Sequence, residues 1–569
     1  MAHGARDQVS MSGGEVTYRW QITLILVILG FIVIPPMVSL FERSIQDNQG
    51  RYSLTHYREI FNLSALAIPF LNTLIFAIGS STVALVFGGI NALIVERTNS
   101  PFRVLGYATV MLSLSTPYII YTISWLLILG KSGPVNATLM SLFGLEEPPI
   151  NIFSMGGMIF IEGMLWAPMV FMMIGAAFKT MDPSLEESAR MSGASVWSTF
   201  TRITSPLVLP GVFAVMMLVS IRTAESFEIP ALVGLPKDIY LLTTKIYLST
   251  RFIPPEYGQG SAFAMVLLIP VTIALFFYNR LTKKAYKYQT VTGKGFQPRP
   301  MDVGKWKYLT ATWLLTYFFV TFILPLLMLI WTSLLPFYKR PSWSMVKRLT
   351  LKNFEKAFGY PKLLDSMENT LILGIVSATV IMSLTFFAAY LTVRTKAPGR
   401  HAVESLASAP LVFPGIVLGL AIMIFYLKLP ITIYGTIWIL AVAYTTRYLP
   451  YGMRYCSAGF LQLHNELEEA AKVSGASWPN IMRRILFPLL KPSFWAGWIF
   501  IFMLVMKELS ISILLSGPQS PVVAVSIFDL WENGQAPELA AFGLVWLCIL
   551  GIISFIFYKI THQHRLGYQ

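Results

Sequence analysis

Long blocks of apolar residues recur along the whole chain, and no other feature of the sequence limits its fold as strongly. Blocks of about 20 apolar residues match the roughly 30 Å thickness of the hydrocarbon core of a bilayer. Backbone groups within lipid need internal hydrogen-bond partners, so such blocks predict transmembrane helices. Only 12% of the residues are charged, whereas about 25% is usual for a soluble domain. The chain is therefore predicted to be an all-α polytopic membrane protein.

About twelve transmembrane helices are predicted, and the alternating pattern of a membrane barrel is absent. The predicted spans are 20–40, 66–95, 104–129, 153–177, 207–230, 261–280, 308–333, 367–393, 404–426, 431–453, 493–515 and 538–560. The N-terminal residues precede a long apolar run without a small-residue cleavage site, which predicts an uncleaved first span. An even number of spans places both termini on one side of the membrane.

Basic residues predict which side that is. With both termini in the cytoplasm, the predicted cytoplasmic segments hold most of the Lys and Arg residues, as the positive-inside rule expects. The richest such segment contains Arg280, Lys283, Lys284, Lys287, Lys294, Arg299, Lys305 and Lys307. The net charge of +15 is therefore attributed to membrane lipid and cytoplasmic loops, with no nucleic-acid partner.

One segment departs from the charge rule. The predicted outside loop 334–366 is rich in cations, which are Lys339, Arg340, Lys347, Arg348, Lys352, Lys356 and Lys362. Either this loop is translocated as a small folded unit, or the spans on both sides of it need revision.

The chain repeats itself. The stretch NTLIFAIGSSTVALVFGGINALIVERTNSPFR begins at Asn72, and the related NTLILGIVSATVIMSLTFFAAYLTVRTKAPGR begins at Asn369. Further on, EESARMSGAS begins at Glu186 and EEAAKVSGAS begins at Glu468. Such repeats predict two six-helix halves in parallel orientation, related by an axis along the membrane normal.

The repeat divides the chain into a first half, 1–290, and a second half, 308–569. The basic cytoplasmic linker 291–307 joins them, and it contains glycine and proline residues. Each half carries one polar stretch between two predicted spans. We call these stretches the first polar loop, 182–206, and the second polar loop, 464–488.

The two polar loops read DPSLEESARMSGASVWSTFTRITSP and HNELEEAAKVSGASWPNIMRRILFP. Each is predicted to form a short helix, a break and a second short helix. Gly193 and Gly475 can adopt positive φ and end the first helix, while Ser195 and Ser477 can cap the second. A single loop of this kind could be an amphipathic helix on the lipid headgroups. Two matching copies favour a shared task instead.

The pattern Glu-Ala-Ala, three residues, Gly, nine residues, Ile and then Pro resembles the signature of the binding-protein-dependent ABC importer permeases of type I. The second copy consists of Glu469, Ala470, Ala471, Gly475, Ile485 and Pro488, preceded by Glu468. The first copy consists of Glu187, Ser188, Ala189, Gly193, Ile203 and Pro206, preceded by Glu186. It departs from the pattern at Ser188, where alanine is usual, and at Ser205, where leucine is common. The resemblance covers nearly the whole chain.

The resemblance implies that these loops couple the permease to ATPase subunits, two copies of which would dock on the two loops. It also implies a periplasmic solute-binding protein, a location in the bacterial inner membrane, and movement between inward-facing and outward-facing states. A P-loop is not recognisable: Gly130-Lys131-Ser132 has Trp125 in place of the first glycine, and Gly293-Lys294 is followed by Gly295. The chain is thus expected to be a transport subunit, not an enzyme, with no catalytic residue and no cofactor of its own. ATP would be bound by the partner subunit.

Five charged residues lie within or at the ends of predicted spans, and they are Arg222, Glu225, Glu228, Lys507 and Glu508. Charge within a membrane is expensive and usually faces a cavity or a partner. These residues are therefore candidates for the translocation pathway or for a gate. Arg222 and Glu225 could instead pair on one helix, and Glu228 could lie at the outer interface. Lys507 and Glu225 occupy equivalent positions in the two halves and carry opposite charges.

The substrate is less constrained. The fused two-half layout, the triplet Lys507-Glu508-Leu509 and the stretch SFEIPALVGLP (226–236) resemble the iron(III)-type importer permeases. Related groups carry thiamine, polyamines, phosphonates, sulfate or molybdate. None of the six histidines lies deep within a predicted span, and the two cysteines, Cys456 and Cys548, indicate no metal site.

Two other classes of membrane protein remain open. A secondary transporter of twelve spans would work without an ATPase and would not need duplicated polar loops. A membrane-embedded enzyme would need clustered catalytic groups near one membrane face, and the sequence indicates no such cluster.

Overall fold

A computed structural model describes residues 4–61, 65–180, 184–285 and 301–566. Throughout these residues the secondary structure is helical, with only isolated β-bridges besides. The helices of residues 4–285 are α1 (Gly4–Ser44), α2 (Thr55–Phe61), α3 (Ala67–Arg97), α4 (Arg103–Ser115), α5 (Tyr118–Leu129), α6 (Pro134–Phe143), α7 (Met155–Thr180), α8 (Ser184–Met191), α9 (Val196–Thr199), α10 (Ser205–Ala224), α11 (Leu242–Arg251) and α12 (Tyr257–Ala285). The all-α prediction is confirmed.

The helices of residues 301–566 repeat much of this order. They are α13 (Lys307–Phe318), α14 (Leu324–Ser333), α15 (Trp343–Val346), α16 (Lys352–Gly359), α17 (Pro361–Arg394), α18 (Arg400–Ser408), α19 (Gly415–Lys428), α20 (Ile437–Gln462), α21 (Glu466–Val473), α22 (Trp478–Ile481), α23 (Phe487–Val505), α24 (Ser512–Leu515), α25 (Val523–Glu532) and α26 (Ala536–Leu566). Most of the predicted linker, 291–300, lies outside the described residues.

Within the described part of the chain, ten helical segments are long and apolar enough to cross a membrane, or eleven with one bent pair. Twelve spans were predicted. The prediction 404–426 corresponds to the bent pair, in which the helix path bends by 110°. The prediction 431–453 corresponds to α20, which is outside these ten because polar residues such as Thr445, Thr446 and Arg447 interrupt its apolar character.

Both halves break one predicted span at a proline. The predicted span 104–129 is divided between α4 and α5, with Pro117 immediately before α5. The bent pair is divided in the same way, with Pro414 immediately before α19. Proline lacks the N–H that would continue a helix and restricts the residue before it. Pro117 and Pro414 have the same separation as Asn72 and Asn369, so the break is part of the repeat.

The helices form two compact units that do not coincide with the two sequence halves. Each unit combines most of one half with segments of the other half. The described residues within 55–360 and 527–548 form one unit, and those within 1–54, 361–526 and 549–569 form the other. The division into halves at 290 and 308 stays a prediction about the repeat. Each compact unit contains one polar loop.

The exchanged spans are held by specific contacts within each unit. In the unit that contains α3, Leu314 of α13 joins the apolar core, and the indole N–H of Trp313 donates to Asn91 Oδ1 at 2.9 Å. In the other unit, α1 packs on α19, and Lys428 Nζ lies 2.8 Å from Glu42 Oε2. The first span of each half therefore packs on helices of the other half, which a repeat alone does not indicate.

Candidate functional site

The first polar loop folds as the sequence predicts, as a short helix, a break and a second short helix. α8 ends before Gly193, whose φ of 83° is in the left-handed region. The N–H of Ala194 donates to the carbonyl of Ala189 at 3.0 Å, which closes the turn. Ser195 Oγ accepts the N–H of Ser198 at 3.2 Å and so caps α9, as predicted. Residues 182 and 183 of this loop lie outside the described part.

The second polar loop has the same path in the other unit. α21 ends before Gly475, whose φ is 78°, and the N–H of Ala476 donates to the carbonyl of Ala471 at 3.0 Å. Ser477 precedes α22 but makes no side-chain capping bond, so that detail of the prediction is wrong. Pro479 occupies the first turn of α22, and without an N–H it removes one of the donors that a cap could bind.

Each polar loop leads into the following span through a π-helical turn that the sequence did not predict. These turns are Phe200–Thr204 before α10 and Met482–Leu486 before α23. Pro206 and Pro488 lie in the first turn of α10 and α23, so each proline marks the beginning of a helix. Ile203 and Ile485 are half-buried within the two turns. A π-turn in the middle of a helical path is rare and often lies at a functional site.

Each loop exposes one large apolar side chain just before its left-handed glycine. Met191 is 86% exposed and Val473 is 89% exposed, and the two occupy matching positions. Leu185 and Leu467, also at matching positions, are each 45% exposed. Sequence reasoning missed all four residues because it followed the polar signature. The available signal was an apolar residue at the same place in both copies of an otherwise polar loop.

The first loop is anchored to the helix bundle through Glu186. Its carboxylate accepts a hydrogen bond from Arg97, the last residue of α3, and another from Thr204 Oγ1 at 2.6 Å. Arg97 is only 3% exposed, and Glu186 is also buried. The buried ion pair therefore joins the loop to the end of one span, and Thr204 joins it to the beginning of another.

The second loop is anchored differently at the matching position. Glu468 accepts the phenolic O–H of Tyr390 at 3.0 Å and lies 2.9 Å from Lys472 Nζ, which is half exposed. Arg394, at the end of α17, donates to the side chain of Asn465 and to the carbonyl of Leu463 at 2.7 Å. The second anchor thus depends on hydrogen bonds and a partly solvated ion pair, whereas the first depends on a buried arginine.

The predicted loop residues divide between two faces. Glu186, Glu468 and Ala471 are buried against the helices, and Ala189 is half-buried. The exposed residues are Ser188, Gly193, Pro206, Glu469, Ala470, Gly475 and Pro488. The side chain of Glu187, which matches Glu469, lies outside the described part. The glutamates therefore lie on different faces of the loops. Glu186 and Glu468 face the helices, and Glu469 faces outward.

The predicted intramembrane charges of the first half lie at the end of α10. Arg222 is in the last turn, Glu225 follows the helix, and their side chains are 3.1 Å apart. This is the helical pairing that the sequence left open. Glu228 is buried, and its position at the outer interface stays a prediction. Whether these groups line a pathway stays a prediction.

The charges of the second half lie beyond a helix rather than inside it. The predicted span 493–515 ends early, since α23 stops at Val505, and Lys507 and Glu508 follow in an irregular turn. Lys507 is buried, and Glu508 is half-buried. Glu508 accepts the O–H of Tyr448 on α20 and the N–H of Ile511 at 3.1 Å.

Sequence reasoning missed a buried carboxylate, Glu162, in the middle of α7. It is 1% exposed, and it accepts the indole N–H of Trp166 and the O–H of Ser226, each at 2.9 Å. Trp166 and Ser226 match Tyr448 and Glu508 in the repeat. At this junction the first half buries Glu162 of α7, and the second half holds the half-buried Glu508 in the turn after α23. An acidic residue inside a predicted span was the available signal.

Comparison with known proteins gives two matches to one family, described as binding-protein-dependent transport system inner membrane component, over residues 84–287 and 381–565. The ferric transport system permease protein of Actinobacillus pleuropneumoniae is 26% identical over all of this chain and 81% of its own length. A provisionally named 2-aminoethylphosphonate transport system permease of Salmonella typhimurium is 26% identical over 45% of this chain and 89% of its own. In a crystal structure of a bacterial ABC transporter that imports alginate, one chain matches 46% of this chain and 98% of its own, with 17% identity and a TM-score of 0.37.

Proposed function

Because the chain belongs to the family of binding-protein-dependent inner membrane transport components, we propose that it is the fused permease of an importer driven by a separate ATPase. The observation that carries the proposal is the pair of polar loops. Each loop has a short helix, a left-handed glycine and an exposed apolar residue at the matching position. The exposed residue is Met191 in the first loop and Val473 in the second. A repeated surface of this kind fits two copies of one partner subunit.

In the proposed mechanism, the two ATPase subunits bind ATP and close, and each carries one polar loop with it. Glu469 and the exposed apolar residues contact the ATPase subunits, while Glu186 and Glu468 transmit the movement to the spans. On the first loop, the path runs through Arg97 to α3 and through Thr204 to α10. ATP is bound by the partner, and this chain supplies no catalytic group.

We propose ferric iron, delivered by a periplasmic binding protein, as the preferred substrate. The support is the ferric permease relative, which aligns over the whole chain. The phosphonate permease relative aligns over less than half of it, and a phosphonate is the second candidate. Thiamine, polyamines, sulfate and molybdate follow. In this arrangement the polar loops and both termini lie in the cytoplasm.

Uptake by proteoliposomes tests the function and the substrate separately. The vesicles would contain this chain, its ATPase and the solute-binding protein that stimulates ATP hydrolysis. We expect radioactive ferric iron to accumulate only when ATP is supplied on the side of the vesicle membrane where the ATPase subunits lie. An excess of 2-aminoethylphosphonate should leave this uptake unchanged. Uptake sustained by an ion gradient without ATP would establish a secondary transporter. ATP-driven uptake of the phosphonate alone would overturn only the substrate.

A further inference from the structure

Residues 334–360, which depart from the charge rule, form a folded surface element that we call the basic cap. It contains α15 and α16 and follows the end of α14. The side-chain amide of the buried Asn353 donates to the carbonyls of Ser333 at 2.8 Å and Leu335 at 2.6 Å. Met345 of α15 and Ala357 of α16 are themselves buried. The segment is therefore a packed structural unit and not an irregular loop.

The basic cap is also tied to other helices of its unit. Lys356 Nζ lies 2.9 Å from Glu538 Oε1 at the beginning of α26, and this hydrogen bond raises the pKa of Lys356. The O–H of Tyr338 donates to the carbonyl of Leu127 in α5 at 2.6 Å. Because the cap is already ordered, a partner that docks on it has little conformational entropy to remove.

The surface of the basic cap is cationic, with apolar residues among the charges. Its exposed cations are Lys339, Arg340, Lys347, Arg348, Lys352 and Lys356, against a single acidic residue, Glu355. Trp343 is 91% exposed, and Leu351 and Tyr360 are exposed as well. Exposed tryptophan and arginine within a polar rim are typical of the residues that dominate protein interfaces.

The basic cap lies at the opposite end of its unit from the first polar loop. α3 ends at Arg97, which holds that loop. The first turn of α13 lies at the same end, because Thr310 Oγ1 is 2.8 Å from Ser100 Oγ. From there α13 and α14 form one long apolar span that ends at Ser333, where the cap begins. A span of this length crosses the hydrocarbon core.

We propose that the basic cap is a docking surface for an acidic face of the periplasmic solute-binding protein. The proposal rests on the proposed function, because a cytoplasmic polar loop places the cap outside. Lipid headgroups are the rival occupant, but the strongly negative surface potential belongs to the cytoplasmic leaflet. Cations on the periplasmic side oppose the positive-inside rule. A docking function for the folded cap explains why they lie on that side.

Two measurements test the docking surface on the full chain in complex with its ATPase. The first uses the triple variant Lys347→Glu, Arg348→Glu and Lys352→Glu in nanodiscs, with the solute-binding protein that stimulates ATP hydrolysis as the probe. We expect its affinity to fall about tenfold or more, and more steeply at low salt. Arg58→Glu reverses another exposed cation outside the cap and should change affinity less than twofold. The second places a photo-crosslinking amino acid at Trp343 in cells, and we expect it to capture the same protein.

The results separate the docking surface from the importer itself. Affinity of the triple variant within twofold of wild type, an equal loss in Arg58→Glu, or crosslinks from position 343 to phospholipid alone would each overturn the proposal. The matching glutamine variants, which keep the side chains polar without reversing charge, should lose less affinity than the glutamate variants. Retention of the ATPase subunit by every variant shows that the chain is folded. Loss of that subunit from the wild-type chain would instead contradict the proposed function.

Discussion

Replacing Glu186 by glutamine is expected to reduce ATP-driven uptake about a hundredfold. The substitution leaves the guanidinium of Arg97, which is buried, without its carboxylate. Breaking a buried ion pair from one side costs about 3 kcal/mol or more, which corresponds to about a hundredfold in an equilibrium constant. The cost falls on the state in which the first polar loop is anchored to α3. Uptake and the ATPase activity stimulated by the binding protein should fall together.

The chain offers two matched controls for this prediction. Glu468→Gln removes the equivalent carboxylate where its partners are a phenol and a partly solvated lysine, so its effect should be about tenfold or smaller. The double variant Arg97→Met with Glu186→Met removes both charges and should restore thermal stability, because no charge is left buried alone. Equal losses in Glu186→Gln and Glu468→Gln would show that the two anchors are equivalent and that the buried pair has no special weight.

Replacing Gly475 by valine is expected to lower ATPase activity coupled to transport about tenfold or more. Gly475 has a φ of 78°, and a Cβ built on it meets no atom of this chain within 4 Å. The cost therefore comes from the backbone, since a β-branched residue in the left-handed region is strained by about 1–3 kcal/mol. Relief of that strain moves the exposed Val473 away from its docking position.

Asparagine at the same position separates conformation from contact. It tolerates the left-handed region better than other non-glycine residues, so Gly475→Asn should retain most of the coupled activity. Gly193→Val should behave like Gly475→Val, because Gly193 has the same conformation in the first loop. If asparagine and valine at 475 were equally harmful, the partner's close approach to Gly475, and not its positive φ, would be the requirement.

The sequence predicted the elements that depend on local chemistry. Spans follow from apolar length, and the turns at Gly193 and Gly475 follow from glycine's access to positive φ. The repeat located both polar loops because their residues recur at a fixed separation. The breaks at Pro117 and Pro414 were equally visible in the sequence, as a proline repeated within a predicted span in both halves.

Features that depend on packing between distant segments were not predictable. The exchange of α1 and α13 rests on contacts such as Lys428 with Glu42 and Trp313 with Asn91, which no periodic pattern indicates. The inward role of Glu186 and Glu468 depends on partners more than seventy residues away. The family signature consists mainly of small and polar residues and does not include Met191 or Val473. These two residues are nevertheless strongly exposed on the loops, whereas Glu186 and Glu468 are buried.

Crosslinking from the polar loops tests the central claim most directly. Single cysteines would be introduced by Met191→Cys and Val473→Cys in a chain whose native Cys456 and Cys548 are replaced by serine. A short crosslinker should join both positions to an ATP-binding subunit, with yields that change when ATP binds. Trp343→Cys, on the basic cap, is the control and should give no such product. Crosslinks to an ATP-binding subunit from both loops are the predicted result, and their absence from both loops would contradict the account.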